Sequence, residues 1–75
     1  MSRTTLDLKG LACPLPVLRA NKAMRGLAPG DELEVLATDL AAPADFRSYC
    51  KTAGHELVAS LEQDGVFSFL LRKAG

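Results

Sequence analysis

The sequence predicts an α/β fold, a two-layer α+β sandwich in which a four-stranded mixed sheet carries two helices on one face. Segments with helical periodicity and segments with alternating apolar residues follow one another in the order βαβαββ. Asp64-Gly65 lies between the last two strands and is typical of a two-residue hairpin turn, so these strands should be antiparallel. Strands joined through a helix are usually parallel with right-handed crossovers, which places both helices on the same side.

The length and composition are those of one small domain spanning residues 1–75. The chain is 48% hydrophobic and 24% charged, and its nine basic and nine acidic residues cancel. A neutral chain of this kind does not favour direct nucleic-acid binding. Residues 1–5 contain no apolar signal region, and no segment is long enough to span a bilayer. We therefore expect a soluble, cytoplasmic protein with no membrane partner.

The first half of the chain predicts a strand, a helix and a second strand. The first strand covers residues 4–8, and the helix runs from Pro14 to about Arg25, with Gly26 or Pro29-Gly30 ending it. The second strand covers residues 31–38 and alternates between a buried side and a largely polar side. The apolar positions expected to face the core are Leu6, Leu8, Val17, Ala20, Met24, Leu27, Leu33, Val35 and Ala37, with Ala23 at the edge.

The second half predicts another helix and a hairpin. The helix begins near Pro43 and ends at Gly54, a typical C-terminal glycine. Strands follow at residues 55–63 and 66–73. The expected core positions are Phe46, Tyr49, Cys50, Ala53, Leu57, Ala59, Leu61, Phe67, Phe69 and Leu71, whereas Asp45, Arg47, Ser48 and Lys51 are expected to point away.

The segment Gly-Leu-Ala-Cys-Pro-Leu-Pro at residues 10–16 contains the main candidate for chemistry, Cys13. Proline suits the first turn of a helix, so Pro14 and Pro16 predict its first and third positions and leave Cys13 as the N-cap. The helix dipole and unpaired amides there favour a thiolate, so the Cys13 pKa should lie below its reference of about 8.5. This interpretation gives a reactive, surface-presented thiol; the alternative is a small buried side chain.

The outward face of the first helix contains basic and apolar residues and no acidic ones. Its members are Leu15, Leu18, Arg19, Lys22 and Arg25. One interpretation is a docking surface beside Cys13 with two leucine anchors inside a basic rim, suited to an acidic partner. The other is a solvated face with two exposed leucines, which is common in globular proteins.

Cys50 and His55 are the other residues with possible chemistry. Cys50 lies on the apolar stripe and is interpreted as structural. A disulfide with Cys13 would need the two Cα atoms within about 7 Å, and a role as a catalytic partner is a further alternative. His55 is interpreted as a packing residue at a helix boundary, with a Cys13–His55 catalytic pair as the alternative. One histidine and two distant cysteines do not form a metal-ligand set, so no metal site is expected.

Residues 7–16 closely resemble the Cys-Pro-x-Pro signature of the TusA family, also called SirA-like, of small sulfur-carrier proteins. The resemblance extends from about Leu6 to Lys73 and includes Pro29-Gly30, Asp39, the Gly-His-Glu-Leu segment at residues 54–57, and residues 71–73. Members of that family are two-layer sandwiches with the same βαβαββ order. Here Asp39 is followed by Leu40 where many members have proline.

The resemblance implies a sulfurtransferase in which Cys13 carries sulfane sulfur as a persulfide, with Gly10, Leu11, Pro14 and Pro16 as its supporting motif. The donor would be a cysteine desulfurase or another persulfide protein, and the acceptor a downstream protein in tRNA thiolation, molybdenum cofactor assembly or sulfur metabolism. No cofactor is implied. Two other functions stay open from the residues: a noncatalytic regulatory or interaction module that uses the first helix, and a thiol-redox protein that cycles a Cys13–Cys50 bond.

Overall fold

A computed structural model describes residues 2–74 and contains a four-stranded mixed sheet with two helices packed against one face. The elements are β1 (Arg3–Asp7), α1 (Leu15–Arg25), β2 (Glu32–Ala37), α2 (Ala42–Ala53), β3 (Glu56–Gln63) and β4 (Val66–Arg72). The strand order is β1-β2-β4-β3; β1 pairs with β2 in parallel, and the other two pairings are antiparallel. The fold class expected from the sequence is confirmed, and each element boundary lies within one residue of its expected position.

The core lies between the sheet and the helices, and its centre is β2. Alternate residues of this strand are fully buried, and two of them, Leu33 and Val35, pair with Leu71 and Phe69 of β4. The helices cover this face with the buried residues Pro16, Ala20 and Met24 from α1 and Ala42, Phe46 and Cys50 from α2. Expected core positions at the margins are only partly buried, and Ala53 is exposed because it ends α2.

A bulge in β3 corrects one prediction, that Leu57, Ala59 and Leu61 share a face. Leu57 pairs with the buried Leu71, but the register shifts between Leu57 and Ala59. Beyond the shift, Leu61 pairs with Ser68 instead of a core residue, and its side chain is 67% exposed. An extra residue in one strand reverses which face the following side chains occupy. The simple alternation that predicts a buried Leu61 cannot reveal such a bulge.

Two turns behave as the sequence predicts. Gly54 ends α2 in the left-handed conformation with φ of 81°, and its amide donates to the carbonyl of Cys50. Asp64 and Gly65 both have positive φ, 53° and 81°, which is the conformation of the two-residue hairpin turn.

The helix-free face of the sheet carries a row of ion pairs: Glu32 binds both Arg3 and Arg72, and Arg72 also binds Glu56. Neither helix in residues 2–74 is long and apolar enough to cross a membrane.

The stacked pair of Phe46 and Phe69 generates a stability prediction. Both rings are fully buried, with centroids 4.8 Å apart. Phe46→Leu should lower the free energy of unfolding by about 1–3 kcal/mol, because it leaves a void and removes the aromatic contact. Chemical denaturation measures this change. Leu61→Ala, at an exposed position, is the control and should stay within about 0.5 kcal/mol of the wild type. Equal effects of the two substitutions would contradict this account of the core.

Candidate functional site

The loop between β1 and α1 is held in place by the segment that follows β2. The amide of Gly10 donates to Thr38 Oγ1 at 2.9 Å, and the amide of Leu8 donates to the carbonyl of Leu36 at 2.8 Å. Gly10 has a φ of 84°, a conformation that favours glycine. Leu11 packs against the core beyond this turn. These contacts hold the backbone of residues 8–11 against β2 and the core, immediately before Cys13.

Cys13 is exposed and its thiol is free, so the alternative of a buried side chain is wrong. Its expected position as the N-cap is also wrong, by one residue. The N-cap is Pro14, and α1 begins at Leu15 with the buried Pro16 in its first turn. The amide of Leu15 donates to the carbonyl of Ala12 in a turn, so the first helical bond is the one from Leu18 to Pro14. Cys13 therefore lies one residue before the N-cap. The peptide bond between Cys13 and Pro14 is cis.

Asp39 anchors the backbone of Cys13. Its carboxylate Oδ2 accepts a hydrogen bond from the Cys13 amide at 2.6 Å, and Oδ1 accepts one from the Ala41 amide at 3.3 Å. One side chain therefore joins the loop before α1 to the loop before α2. This contact uses the amide of Cys13 and not its sulfur.

A groove of about 350 Å³ lies between the start of α1 and the flank of α2. Its lining residues are Cys13, Pro14, Val17, Asp45, Ser48, Tyr49 and Thr52. Asp45 and Ser48 point away from the core as expected, and they line this surface groove where α1 lies beside α2. None of the lining residues is basic. The Cys13 sulfur thus opens onto a concave surface whose one charged lining residue is the carboxylate Asp45.

The electrostatic environment raises the pKa of the Cys13 thiol instead of lowering it. The main cause is a hydrogen bond to the Asp45 carboxylate, which favours the protonated thiol; desolvation and the charges of Asp45 and Asp39 add to it. The prediction of a lowered pKa is therefore wrong. A helix dipole acts as roughly half a charge at the first turn, and here two full negative charges oppose it. These effects favour the protonated thiol of Cys13 over its thiolate.

Tyr49 forms the inner wall of the groove and links the two helices. Its hydroxyl donates to Asn21 Oδ1 at 3.1 Å, and burial raises the pKa of its phenol. Its ring also lies 5.8 Å, centroid to centroid, from the ring of His55. The Tyr49–Asn21 hydrogen bond therefore joins α2 to α1 beside the groove.

His55 and Cys50 lie outside the groove lining. His55 Nδ1 accepts a hydrogen bond from the Ala74 amide at 3.0 Å, so this histidine holds the C-terminal segment. Burial and the nearby Lys73 lower the pKa of His55. Cys50 is only 3% exposed, and burial raises the pKa of its thiol to about 11. Both cysteines are free thiols, which agrees with a structural role for Cys50. Residues 2–74 contain no group of three metal-ligating side chains.

The basic and apolar residues of the first helix form one exposed surface, here called the α1 outer face. It consists of Leu15, Leu18, Arg19, Lys22 and Arg25. Leu15 is 42% exposed and Leu18 is 56% exposed, while the three basic side chains lie among them. Arg19 and Lys22 also border a shallow depression of about 750 Å³ next to β1. The surface begins two residues after Cys13, so a partner bound there lies next to the thiol.

Sequence reasoning misses the two carboxylates at Cys13. Asp39 lies two residues after β2. The carboxyl ends of neighbouring parallel strands meet at one sheet edge, so the sequence could have indicated that Asp39 lies near the loop after β1. Asp45 carries no such signal, because its approach depends on how α1 crosses α2.

Comparison with known proteins gives consistent matches. The family model described as "Sulfurtransferase TusA" matches residues 4–73. A putative sulfur carrier protein of Neisseria meningitidis is 51% identical over 72 residues, covering 96% of this chain and 97% of the relative. The sulfur carrier protein TusA of Allochromatium vinosum is 45% identical over 69 residues, covering 92% and 91%. The crystal structure of a SirA-like protein from Desulfitobacterium hafniense superposes with a TM-score of 0.85 at 28% identity, covering 96% of this chain and 99% of that one.

The contact between Asp45 and Cys13 generates a prediction about thiol acidity. Asp45→Asn should lower the pKa of Cys13, because the amide carries no charge to oppose the thiolate. The rate of Cys13 alkylation by iodoacetamide, followed by peptide mass spectrometry, should reach half its plateau at a lower pH. Near neutral pH the rate should rise about two- to fivefold, the range for exposed charges.

The matched control is Asp64→Asn, which removes one negative charge from the hairpin turn. Asn also tolerates the positive φ of that position. This variant should leave the alkylation profile unchanged. An unchanged profile in Asp45→Asn would instead show that Asp45 does not act on the thiol.

Proposed function

The chain belongs to the TusA sulfurtransferase family, and from this premise we propose that it is a sulfur-relay protein that carries sulfane sulfur as a persulfide on Cys13. The observation that carries the proposal is an exposed free thiol on a backbone anchored by Asp39 and Gly10, beside the start of a helix. The relatives named as sulfur carriers support transfer of sulfur between proteins. The exposure of Cys13 suits a substrate that arrives bound to another protein.

The proposed loading step is a thiol–persulfide exchange. The Cys13 thiol loses its proton to solvent, and its thiolate attacks the outer sulfur of a persulfide on a donor cysteine. The bond between Cys13 sulfur and that outer sulfur forms, the S–S bond of the donor breaks, and the donor leaves as a thiolate. Unloading repeats the exchange with an acceptor thiolate attacking the outer sulfur on Cys13. No external oxidant or reductant enters, because one S–S bond replaces another in each exchange.

This chain's own residues orient the sulfur for the exchange. The Asp39 carboxylate holds the Cys13 amide, and Thr38 holds Gly10, so the backbone on the N-terminal side of the sulfur is anchored to the loop after β2. The buried Pro16 anchors the other side in the first turn of α1. The groove leaves room for the outer sulfur and for the approaching cysteine of a partner. This combination presents one thiol in a reproducible direction while leaving it open to another protein.

We propose a cysteine desulfurase as the donor class and the α1 outer face as the surface on which donor and acceptor dock. Leu15 and Leu18 supply apolar contact area, and Arg19, Lys22 and Arg25 supply charge for an acidic partner surface. The same surface favours a second candidate function, a noncatalytic interaction module in which Cys13 does not react. The two functions differ in whether the thiol of Cys13 is needed.

Sulfur loading tests the role of Cys13 directly. The protein is incubated with a cysteine desulfurase, pyridoxal phosphate and cysteine, and its intact mass is measured. We expect the wild type to gain one sulfur, about 32 Da, because the thiolate takes the outer sulfur of the donor. Cys13→Ser should gain none, since a serine hydroxyl is a poor nucleophile near neutral pH.

Cys50→Ala serves as the second variant in that experiment and should still gain one sulfur, because Cys50 is buried. A mass gain that persists in Cys13→Ser and disappears in Cys50→Ala would show that Cys50, and not Cys13, accepts the sulfur. Partner binding by a Cys13→Ser protein, with no loading of the wild type by any persulfide donor, would favour the interaction module.

Charge reversal tests the docking surface. The double variant Arg19→Glu and Lys22→Glu should slow loading by the desulfurase at least about fivefold at low salt, because electrostatic steering sets the association rate. Alkylation of Cys13 by iodoacetamide should not change, since that reagent needs no docking. The measurement is the initial rate of mass gain at several ionic strengths, and added salt should narrow the difference.

The matched control reverses the same number of charges on α2, with Arg47→Glu and Lys51→Glu, which are exposed and outside the groove lining. This control should load close to the wild-type rate. If both double variants slow equally, net charge and not the α1 outer face governs the encounter.

A further inference from the structure

We propose that Asp45 sets how tightly Cys13 holds its sulfur, by stabilising the unloaded thiol and destabilising the loaded persulfide. The proposal rests on the proposed function of Cys13 and adds that the exchange equilibrium favours the unloaded thiol. A carrier built in this way takes sulfur only from a donor that holds it weakly and releases it readily to an acceptor. Asp45 thereby becomes a determinant of the loading equilibrium.

The geometry around the sulfur supports this role. Asp45 and Cys13 line the same groove, Asp45 from the first turn of α2 and Cys13 from the segment before α1. A second carboxylate, Asp39, reaches the Cys13 amide at 2.6 Å from the loop after β2. The cationic residues of α1 occupy its outer face, and Arg47 and Lys51 of α2 do not line the groove. The charged groups that face the sulfur from the adjoining elements are thus both negative.

The two states of Cys13 respond to these carboxylates in opposite ways. The unloaded thiol is neutral, and the Asp45 carboxylate in the same groove favours this protonated form. A persulfide is a stronger acid than the corresponding thiol, so the loaded form is an anion near neutral pH and has no hydrogen to donate. Asp45 then becomes a like charge in the groove that receives the outer sulfur. Each effect shifts the exchange toward unloaded Cys13.

The shift can be measured as an exchange equilibrium with a small-molecule pair. Glutathione persulfide and Cys13 thiol exchange to give glutathione and Cys13 persulfide, with one S–S bond broken and one formed. Wild type and Asp45→Asn are equilibrated without oxygen in one fixed mixture of glutathione persulfide and glutathione near neutral pH. The loaded fraction is read by intact mass, and the labelled cysteine is identified by peptide mapping. A merely structural role of Asp45 would not move this ratio.

We expect the ratio of loaded to unloaded protein to rise about two- to fivefold in Asp45→Asn, the range for interactions between exposed charges. Asp45→Glu keeps the charge and should stay nearer the wild type. Asp64→Asn, the control at the hairpin, should match the wild type.

The outcomes separate this inference from the proposed function beneath it. If wild type and Asp45→Asn both load to the same ratio, Asp45 has no influence on the equilibrium and the inference is wrong, while Cys13 remains a carrier. If Asp64→Asn shifts the ratio as much as Asp45→Asn, overall charge is responsible and the inference is again wrong. If Cys13 loads in no variant, with this mixture or with the desulfurase, the proposed function fails and the inference fails with it.

Discussion

The parallel pairing of β1 with β2 is the constraint on which the rest of the site depends. Parallel neighbours bring their carboxyl ends to the same sheet edge, so the loop after β1 must pass the loop after β2. Thr38 and Asp39 use this proximity to bind the backbone at Gly10 and Cys13. With its start held there, α1 lies across the sheet beside α2, and the space between the two helices becomes the groove in front of the sulfur.

The site combines an anchored backbone with a thiol whose pKa is raised by its surroundings. Many reactive cysteines depend on nearby positive charge to form a thiolate, whereas the groove lining here contributes a carboxylate. A protonated thiol reacts more slowly than a thiolate with alkylating and oxidising agents. A sulfur carrier with a raised thiol pKa is therefore better protected from such damage between transfers. In the proposed relay, the charges of a docked partner would also act on the Cys13 thiol.

Local patterns in the sequence were enough to predict the fold class, the order of elements and the exposed thiol. Some signals act through local backbone conformation: the helix prolines, Gly54 and Asp64-Gly65. The alternation of β2 is also uninterrupted, so these elements could be predicted from short segments of sequence. Local patterns did not predict three features: the exposure of Leu61, the position of Cys13 before the N-cap, and the approach of Asp45 to the thiol. The bulge before Leu61 and the turn at Ala12–Leu15 depend on pairing and loop geometry, and the approach of Asp45 to the thiol depends on a crossing between helices that no local pattern specifies.

The burial of Cys50 has a practical consequence for experiments on this molecule. A thiol in the core reacts with a reagent only when the surrounding helices and sheet open, so its labelling rate in the intact protein measures the free energy of that opening. Cys13 reports on the surface at the same time, from the same sample, because it is exposed. The chain thus contains two natural probes, one for the local environment of the groove and one for cooperative opening of the fold, and no cysteine needs to be introduced by mutation.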